Sequence, residues 1–182
     1  MITQNKGLTK RVLEKSNILL PWSRVLESEN DLDKLDPEKV PFPLIVKLNA
    51  EGSSMGMDSG CIVYNQGELA EQLMKVWGKF KTNVIIEEYI VGRDISITFI
   101  EGLGSLGPVE YICPGSEIYD FRLKGIDNET IDVISPKDLS QKVQRALRKT
   151  TEDIAKILDI NSYCRIDFRL DKEQNLHFLE VN

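Results

Sequence analysis

Residues 163–182, YCRIDFRLDKEQNLHFLEVN, alternate hydrocarbon and charge with the period of a β-strand on both sides of a polar turn. Arg165, Asp167 and Arg169 fall on one face of the first arm, with Ile166, Phe168 and Leu170 on the other. In the second arm Glu180 and Asn182 share a face, because side chains two apart point the same way. His177, the sole histidine, falls on the face opposite Glu180 and Asn182 and reads as structural or solvent-facing. A four-residue turn over 172–175 pairs Asp171 with Leu176, and so sets Asp167 opposite Glu180 and Arg165 opposite Asn182. Directly opposed residues have Cβ atoms about 4.5–5.5 Å apart. Two carboxylates that close repel and raise a pKa unless a cation lies between them. Asp, Glu and an amide oxygen are the hard ligands that Mg2+ accepts beside phosphate and water. Taken alone, the hairpin reads equally well as a surface ribbon whose like charges are relieved by Arg165 and Arg169.

A metal clasp needs a phosphate to share it, and a second stretch could supply one. KLNAEGSSMGMDSG, residues 47–60, lies between an apolar strand at 44–48 and a resumed strand at 61–64. It is either a plain surface loop or a phosphate cradle with Lys47 at its entrance. Glycines let backbone N–H groups approach phosphate oxygens closely.

The remaining pattern mixes helices with strands and hairpins. Residues 8–16 read as a short helix, SNILLPW (16–22) as a loop and edge strand ending at Pro21, and 28–43 as a connector with little structure. Asn65 three residues before Glu68 opens a helix whose stripe is Leu69, Leu73, Trp77 and Phe80. Strands follow at 84–90 and 94–100, then a turn-rich stretch over 101–134. Ser135-Pro136-Lys137-Asp138 reads as the start of the longest helix, with Ser as N-cap, carrying Leu139, Val143, Leu147, Ile154 and Leu158. Such mixing indicates an α+β architecture.

Composition narrows the function. At 182 residues the chain suits one domain or two small lobes, and 41% hydrophobic with 29% charged residues is ordinary for a soluble globular protein. A net charge of -6 argues against nucleic acid as a partner while leaving a nucleotide open. Cys61, Cys113 and Cys164 are scattered and odd in number, which disfavours a disulfide framework or zinc site and fits a reducing, cytoplasmic setting. No apolar segment approaches a membrane span and the start has no signal-peptide core, so no membrane partner is expected. The oligomeric state is left open.

Five segments in order, NKGLTK, LIVKLNAEGSSMGM, VIIEEYIVGRDISIT, YDFRLKG and CRIDFRL…LHFLEVN, resemble the ATP-grasp carboxylate–amine ligases, most closely the D-alanine–D-alanine ligases. The resemblance implies the ATP-grasp fold, two α+β lobes holding ATP between them. The small lobe would span 1–91 with a glycine-rich phosphate flap. The larger would span 92–182 with the magnesium ligands, C-terminally incomplete because the family continues past Asn182 and also carries a lobe ahead of Met1.

Carried over by position, the resemblance puts Lys6 and Lys47 on the ATP phosphates and Glu51, Gly52, Ser53, Ser54, Met55 and Gly56 in the flap above them. Glu87 would accept from the adenine amino group, Tyr89 and Ile90 would form the hinge reading the purine edge, and Asp94 would meet the ribose. Asp167, Glu180 and Asn182 would hold Mg2+, or Mn2+ in its place. Lys124 would contact the transferred phosphate, Arg165 would steady the tetrahedral intermediate, and Ser53 would help orient the attacking amine. The implied reaction activates a carboxylate (an amino acid or other acid) as an acyl-phosphate, which an amine then attacks. Gly125, where many D-alanine–D-alanine ligases carry a tyrosine, and Leu48, in place of a common proline, depart from the pattern. A Mg-ATP-binding module without ligation and a non-catalytic interaction domain remain as alternatives, the second weakened by the retained Lys47, Glu87, Asp167, Glu180 and Asn182.

Overall fold

The structure is a computed structural model that describes residues 2–50, 60–112 and 132–182. It contains two antiparallel sheets, each with a helix on one face. The first sheet runs β1 (Ser23–Leu26), β4 (Val84–Glu88), β2 (Leu44–Leu48), β3 (Ile62–Val63) in spatial order. Alternation sends Leu44, Val46, Leu48, Val84 and Ile86 to the face covered by α2 (Gln66–Phe80), which contributes Leu69, Leu73 and Val76. Asn65 caps that helix by accepting from the Glu68 N–H at 3.0 Å, while Glu68 accepts from the Tyr64 N–H at 2.8 Å. The opposite face of the sheet carries Lys47 and Glu87, whose strand partners are Ile85 and Ile45.

The second sheet has the order β10 (Leu176–Val181), β9 (Tyr163–Leu170), β5 (Arg93–Ile100), β7 (Val109–Ile112), β8 (Asp132–Ile134), with β6 (Gly104–Ser105) also paired to β5. Ile95, Ile97, Ile166, Phe168, Phe178 and Val181 pack under Val143, Leu147 and Ile154 of α3 (Gln141–Ile157). The first helix, α1 (Lys6–Leu13), belongs to both halves. Its Leu13 enters the core of the second sheet, whereas its first turn lies against β1. Gly7 permits that approach, since a Cβ there would stand 2.3 Å from Val25 Cγ2.

Several expectations need correction. The edge strand expected to end at Pro21 instead begins at Ser23; Ile18 and Leu20 pack on the second core, and Leu19 makes a single parallel bridge to His177. The longest helix starts at Gln141 with Ser140 as its N-cap, its Oγ accepting from the Val143 N–H at 3.3 Å. The signal at Ser135-Pro136 is overridden because Asp138 is drawn to Arg93, 2.8 Å from Nη2, which keeps that stretch out of the helix. The connector over 28–43 contains two short 3-10 turns, Glu29–Asp31 and Pro37–Lys39.

The hairpin register needs correction as well. Leu176 pairs with Leu170 rather than Asp171, but an irregularity between Phe178 and Glu180 restores Glu180 opposite Asp167 and Val181 opposite Ile166. The wider turn and the bulge at Leu179 offset each other. The bulge also moves His177 to the face it was expected to avoid: it pairs with Arg169, and its Nε2 lies 2.9 Å from Asp171 Oδ2. Bulges of this kind re-aim the side chains beyond them.

Candidate functional site

Lys6 and Lys10 lie one helical turn apart on α1 and therefore project the same way. They reach different sheets. Lys6 Nζ is 3.3 Å from Glu180 Oε2 on β10, and Lys10 Nζ is 2.9 Å from Glu87 Oε1 on β4. Lys47 of β2 donates to the other oxygen, Glu87 Oε2, at 2.7 Å. Glu87 is 1% exposed, so a single buried carboxylate is shared by two ammonium groups. Burial pushes the Glu87 carboxyl up, but the charges of Lys10 and Lys47 outweigh it and hold the group at about 2. For Lys47, burial favours the neutral amine yet Glu87 overcomes it, and the pKa is raised. For Lys10, burial prevails and the pKa is lowered.

The facing hairpin supplies the second cluster. Asp167 accepts from Ser96 Oγ at 2.5 Å, from Arg165 Nε at 2.8 Å and Nη2 at 3.0 Å, and from Asn182 Nδ2 at 2.7 Å. The same Asn182 nitrogen lies 3.3 Å from Glu180 Oε1. Asp167, Glu180 and Asn182 therefore meet around one amide group. Burial raises the Asp167 pKa despite Arg165, whereas at Glu180 the effect of burial is exceeded by Lys6 and Lys47 and the pKa is lowered. Among the described residues no three His, Cys, Asp or Glu side chains converge as a metal cage. The set present is two carboxylates and an amide, hard donors that fit Mg2+ when phosphate and water complete its shell. The amide nitrogen faces the carboxylates here; a half-turn of the Asn182 side chain would present its oxygen to a cation in the same place.

A third cluster joins the sheets where the chain crosses between them. Arg169, 6% exposed, donates Nε–H to the Ile90 carbonyl at 2.8 Å and Nη2–H to Tyr89 Oη at 2.9 Å. Its Nη1 is 2.6 Å from Asp94 Oδ1, and its guanidinium stands 5.2 Å from the Tyr89 ring centroid. Burial raises the Asp94 pKa, only partly opposed by Arg169. Gly92 completes the crossing, since a Cβ there would lie 2.2 Å from the Leu170 carbonyl oxygen.

One seam between the sheets thus gathers Lys6, Lys47, Glu87, Tyr89, Asp94, Arg165, Asp167, Glu180 and Asn182, with Ile90 at its edge. Glu51, Gly52, Ser53, Ser54, Met55, Gly56, Lys124 and Gly125 lie outside the described residues. The carboxylate of Glu87 is turned to two lysines. Lys10 and Ser96 had not been singled out, nor had the contacts that Arg169 makes with Tyr89, Ile90 and Asp94. The spacing of Lys6 and Lys10 in NKGLTK was the available signal for the first of these.

Comparison with known proteins identifies the family and the fold. The family model described as "D-ala D-ala ligase C-terminus" matches residues 18–182. The D-alanine–D-alanine ligase of Aquifex aeolicus is 33% identical over 182 residues, covering 100% of this chain and 58% of its own length. D-alanine–D-alanine ligase A of Bacillus cereus is 30% identical over 183 residues, covering 100% and 57% respectively. The crystal structure of the Bacillus anthracis D-alanine–D-alanine ligase complexed with ATP superposes with a TM-score of 0.80 at 25% identity, covering 100% of this chain and 55% of that one. The chain therefore spans little more than half the length of these relatives. Its architecture is the ATP-grasp fold, and the chain belongs to the family of D-alanine–D-alanine ligase C-terminal domains.

Proposed function

We propose that the chain is the ATP-binding part of a carboxylate–amine ligase that works through an acyl-phosphate, with D-alanine-like amino acids as the substrate class. The observation that carries this reading is the seam itself: Lys6 and Lys47 stand on one side, and Asp167, Glu180 and Asn182 meet on the other. That is the complement of a magnesium-bound phosphate chain, cations on one flank and hard oxygen donors on the other. The activity of the relatives supplies the substrate class.

In this reading residues 1–91 and 92–182 form the two lobes, joined by the crossing that Arg169 braces. Lys6 and Lys47 bind phosphate oxygens, beneath the flap of Glu51, Gly52, Ser53, Ser54 and Gly56. Tyr89 and Ile90 line the base, beside Glu87, and Asp94 lies toward the ribose. Asp167, Glu180 and Asn182 would hold Mg2+ or Mn2+, which supplies neutralisation of phosphate charge during transfer. Arg165, partly exposed and fixed by Asp167, would steady the negative charge that accumulates on the acyl group. Lys124 would meet the transferred phosphate and Ser53 the attacking amine. No side chain need act as nucleophile; positioning and charge do the work. The setting is cytoplasmic, the partners are small molecules, and nucleic acid is disfavoured by the net charge of -6. Among the described residues no helix is long and apolar enough to cross a membrane.

Calorimetric titration of the protein with Mg-ATP, ATP in EDTA, and adenosine tests the reading. The expected result is binding of all three, tightest for Mg-ATP, with Lys47→Ala weakening only the phosphate-bearing ligands. Affinity for ATP that ignores both magnesium and Lys47 would overturn it. A second reading is nucleotide binding without ligation. Dipeptide formation measured separately from phosphate release distinguishes the two.

A further inference from the structure

Lys10 is the least expected charge in the molecule. Its side chain is 3% exposed, and neither its Nζ nor Glu87 Oε1 has an aligned hydrogen-bond partner although the two atoms stand 2.9 Å apart. A buried ammonium with so little compensation is costly, and an apolar residue of the same length would pack there at less expense. The backbone nonetheless holds it rigidly in place. Asn49, two residues beyond Lys47, accepts from the Lys6 N–H through its carbonyl and from the Gly7 N–H through Oδ1, both at 2.9 Å. The helix carrying Lys10 and the strand carrying Lys47 are thereby locked together around Glu87.

Charge explains what such an arrangement can do. Lys47 and Glu87 alone would form a neutral buried pair. Adding Lys10 leaves the trio with one net positive charge, and Lys47, at 12% side-chain exposure against 3% and 1%, is its most accessible member. Glu180 pairs directly with Lys6 and reaches Lys47 only at longer range, so it does not take the place of Glu87. We propose that Lys10 is a positioning residue for nucleotide binding: by sharing Glu87 it keeps the charge of Lys47 available to an anionic ligand, a polyphosphate. The inference rests on the reading that Lys47 meets the phosphates of ATP.

The charge count makes a test that a merely structural role would fail. Lys10→Met should weaken Mg-ATP binding about tenfold, the effect of one close charge on an anion, and leave adenosine within about twofold of the parent. Lys10→Met combined with Glu87→Gln removes one cation and one anion and restores the net charge; the ratio of Mg-ATP to adenosine affinity, which cancels whatever Glu87→Gln costs at the base, should return to within about threefold of the parent's. Calorimetry on parent and both variants, with melting temperatures, gives the answer. The double variant also serves if the single one does not fold, because it leaves no carboxylate short of a partner. Equal loss of Mg-ATP and adenosine, or no recovery in the double variant, overturns the proposal while leaving the nucleotide site standing. A parent protein that binds neither ligand overturns the nucleotide site itself, and this inference with it.

Discussion

Glu180 stands directly opposite Asp167 only because the strand between Phe178 and Glu180 is bulged. A regular ladder continuing from the Leu176–Leu170 pair would have placed Leu179 there and turned Glu180 to the core. The same irregularity lets Phe178 and Val181, three apart, both enter the core. The metal ligands proposed here depend on that one extra residue.

Asp167→Asn is expected to abolish the magnesium dependence of ATP binding, leaving the affinity that parent protein shows in EDTA. The substitution keeps the contact with Asn182 nearly isosteric but removes the charge that a divalent cation requires. Titrations of ATP with and without Mg2+ on both proteins check it; a retained magnesium effect would remove Asp167 from the ligand set.

Glu87 should make the protein acid-sensitive. Its carboxyl is held at about 2 against an ordinary 4.5, so it contributes stability that is complete above pH 4.5 and is lost as pH falls from there toward 2. The amount is roughly 3 kcal/mol over that window. Asp94 and Asp167, whose pKa values are raised by burial, push the other way. Comparing urea unfolding of parent and Glu87→Gln between pH 2 and 6 cancels their effect. The parent curve should fall more steeply on acidification than that of the variant.

Arg169→Met should cost about 3 kcal/mol of stability, because it strands the Asp94 carboxylate and removes donors from the Ile90 carbonyl and Tyr89 Oη. Adenosine affinity should fall with it, since the base would lie on that crossing. Chemical denaturation and adenosine titration are the measurements. An unchanged adenosine affinity in a folded variant would separate the brace from the nucleotide.

Gly92→Ala is expected to be worse than its size suggests, by about 2 kcal/mol or more. The new methyl would meet the Leu170 carbonyl oxygen at 2.2 Å, and a backbone atom cannot step aside as a side-chain tip can. The melting temperature reads this directly, with Gly78→Ala as the control because nothing lies within 4 Å of its added Cβ.

The strands and their faces were legible because alternation is local: β2 fell at the expected residues, and Ile95, Ile97, Ile166 and Phe168 faced the core as their parity required. The helix start at Gln141 was not legible, since what displaced the Ser135-Pro136 signal was Arg93, 45 residues earlier in the chain. The site was half legible for the same reason. Parity put Arg165, Asp167 and Arg169 on one face, but it could not show that Arg169 would reach back 79 residues to the Ile90 carbonyl. Lys10 was hidden differently. A lysine on a short helix reads as solvated, and only the crossing of α1 over both sheets buries it.

The two ends of the seam are fastened unequally. At one end lie the covalent crossing at 89–92 and the dry bonds of Arg169 to Tyr89 and Ile90; at the other, Lys6 touches a partly wet Glu180 at 3.3 Å. Since α1 is tied to the first sheet through Asn49 and to the second through Leu13, separating the sheets must break the Lys6 contact and draw Leu13 from the second core while the crossing acts as pivot. The molecule is built like a clasp knife, with its pin at Arg169, its catch at Lys6, and Leu13, seated in the far core, as the spring that favours closure.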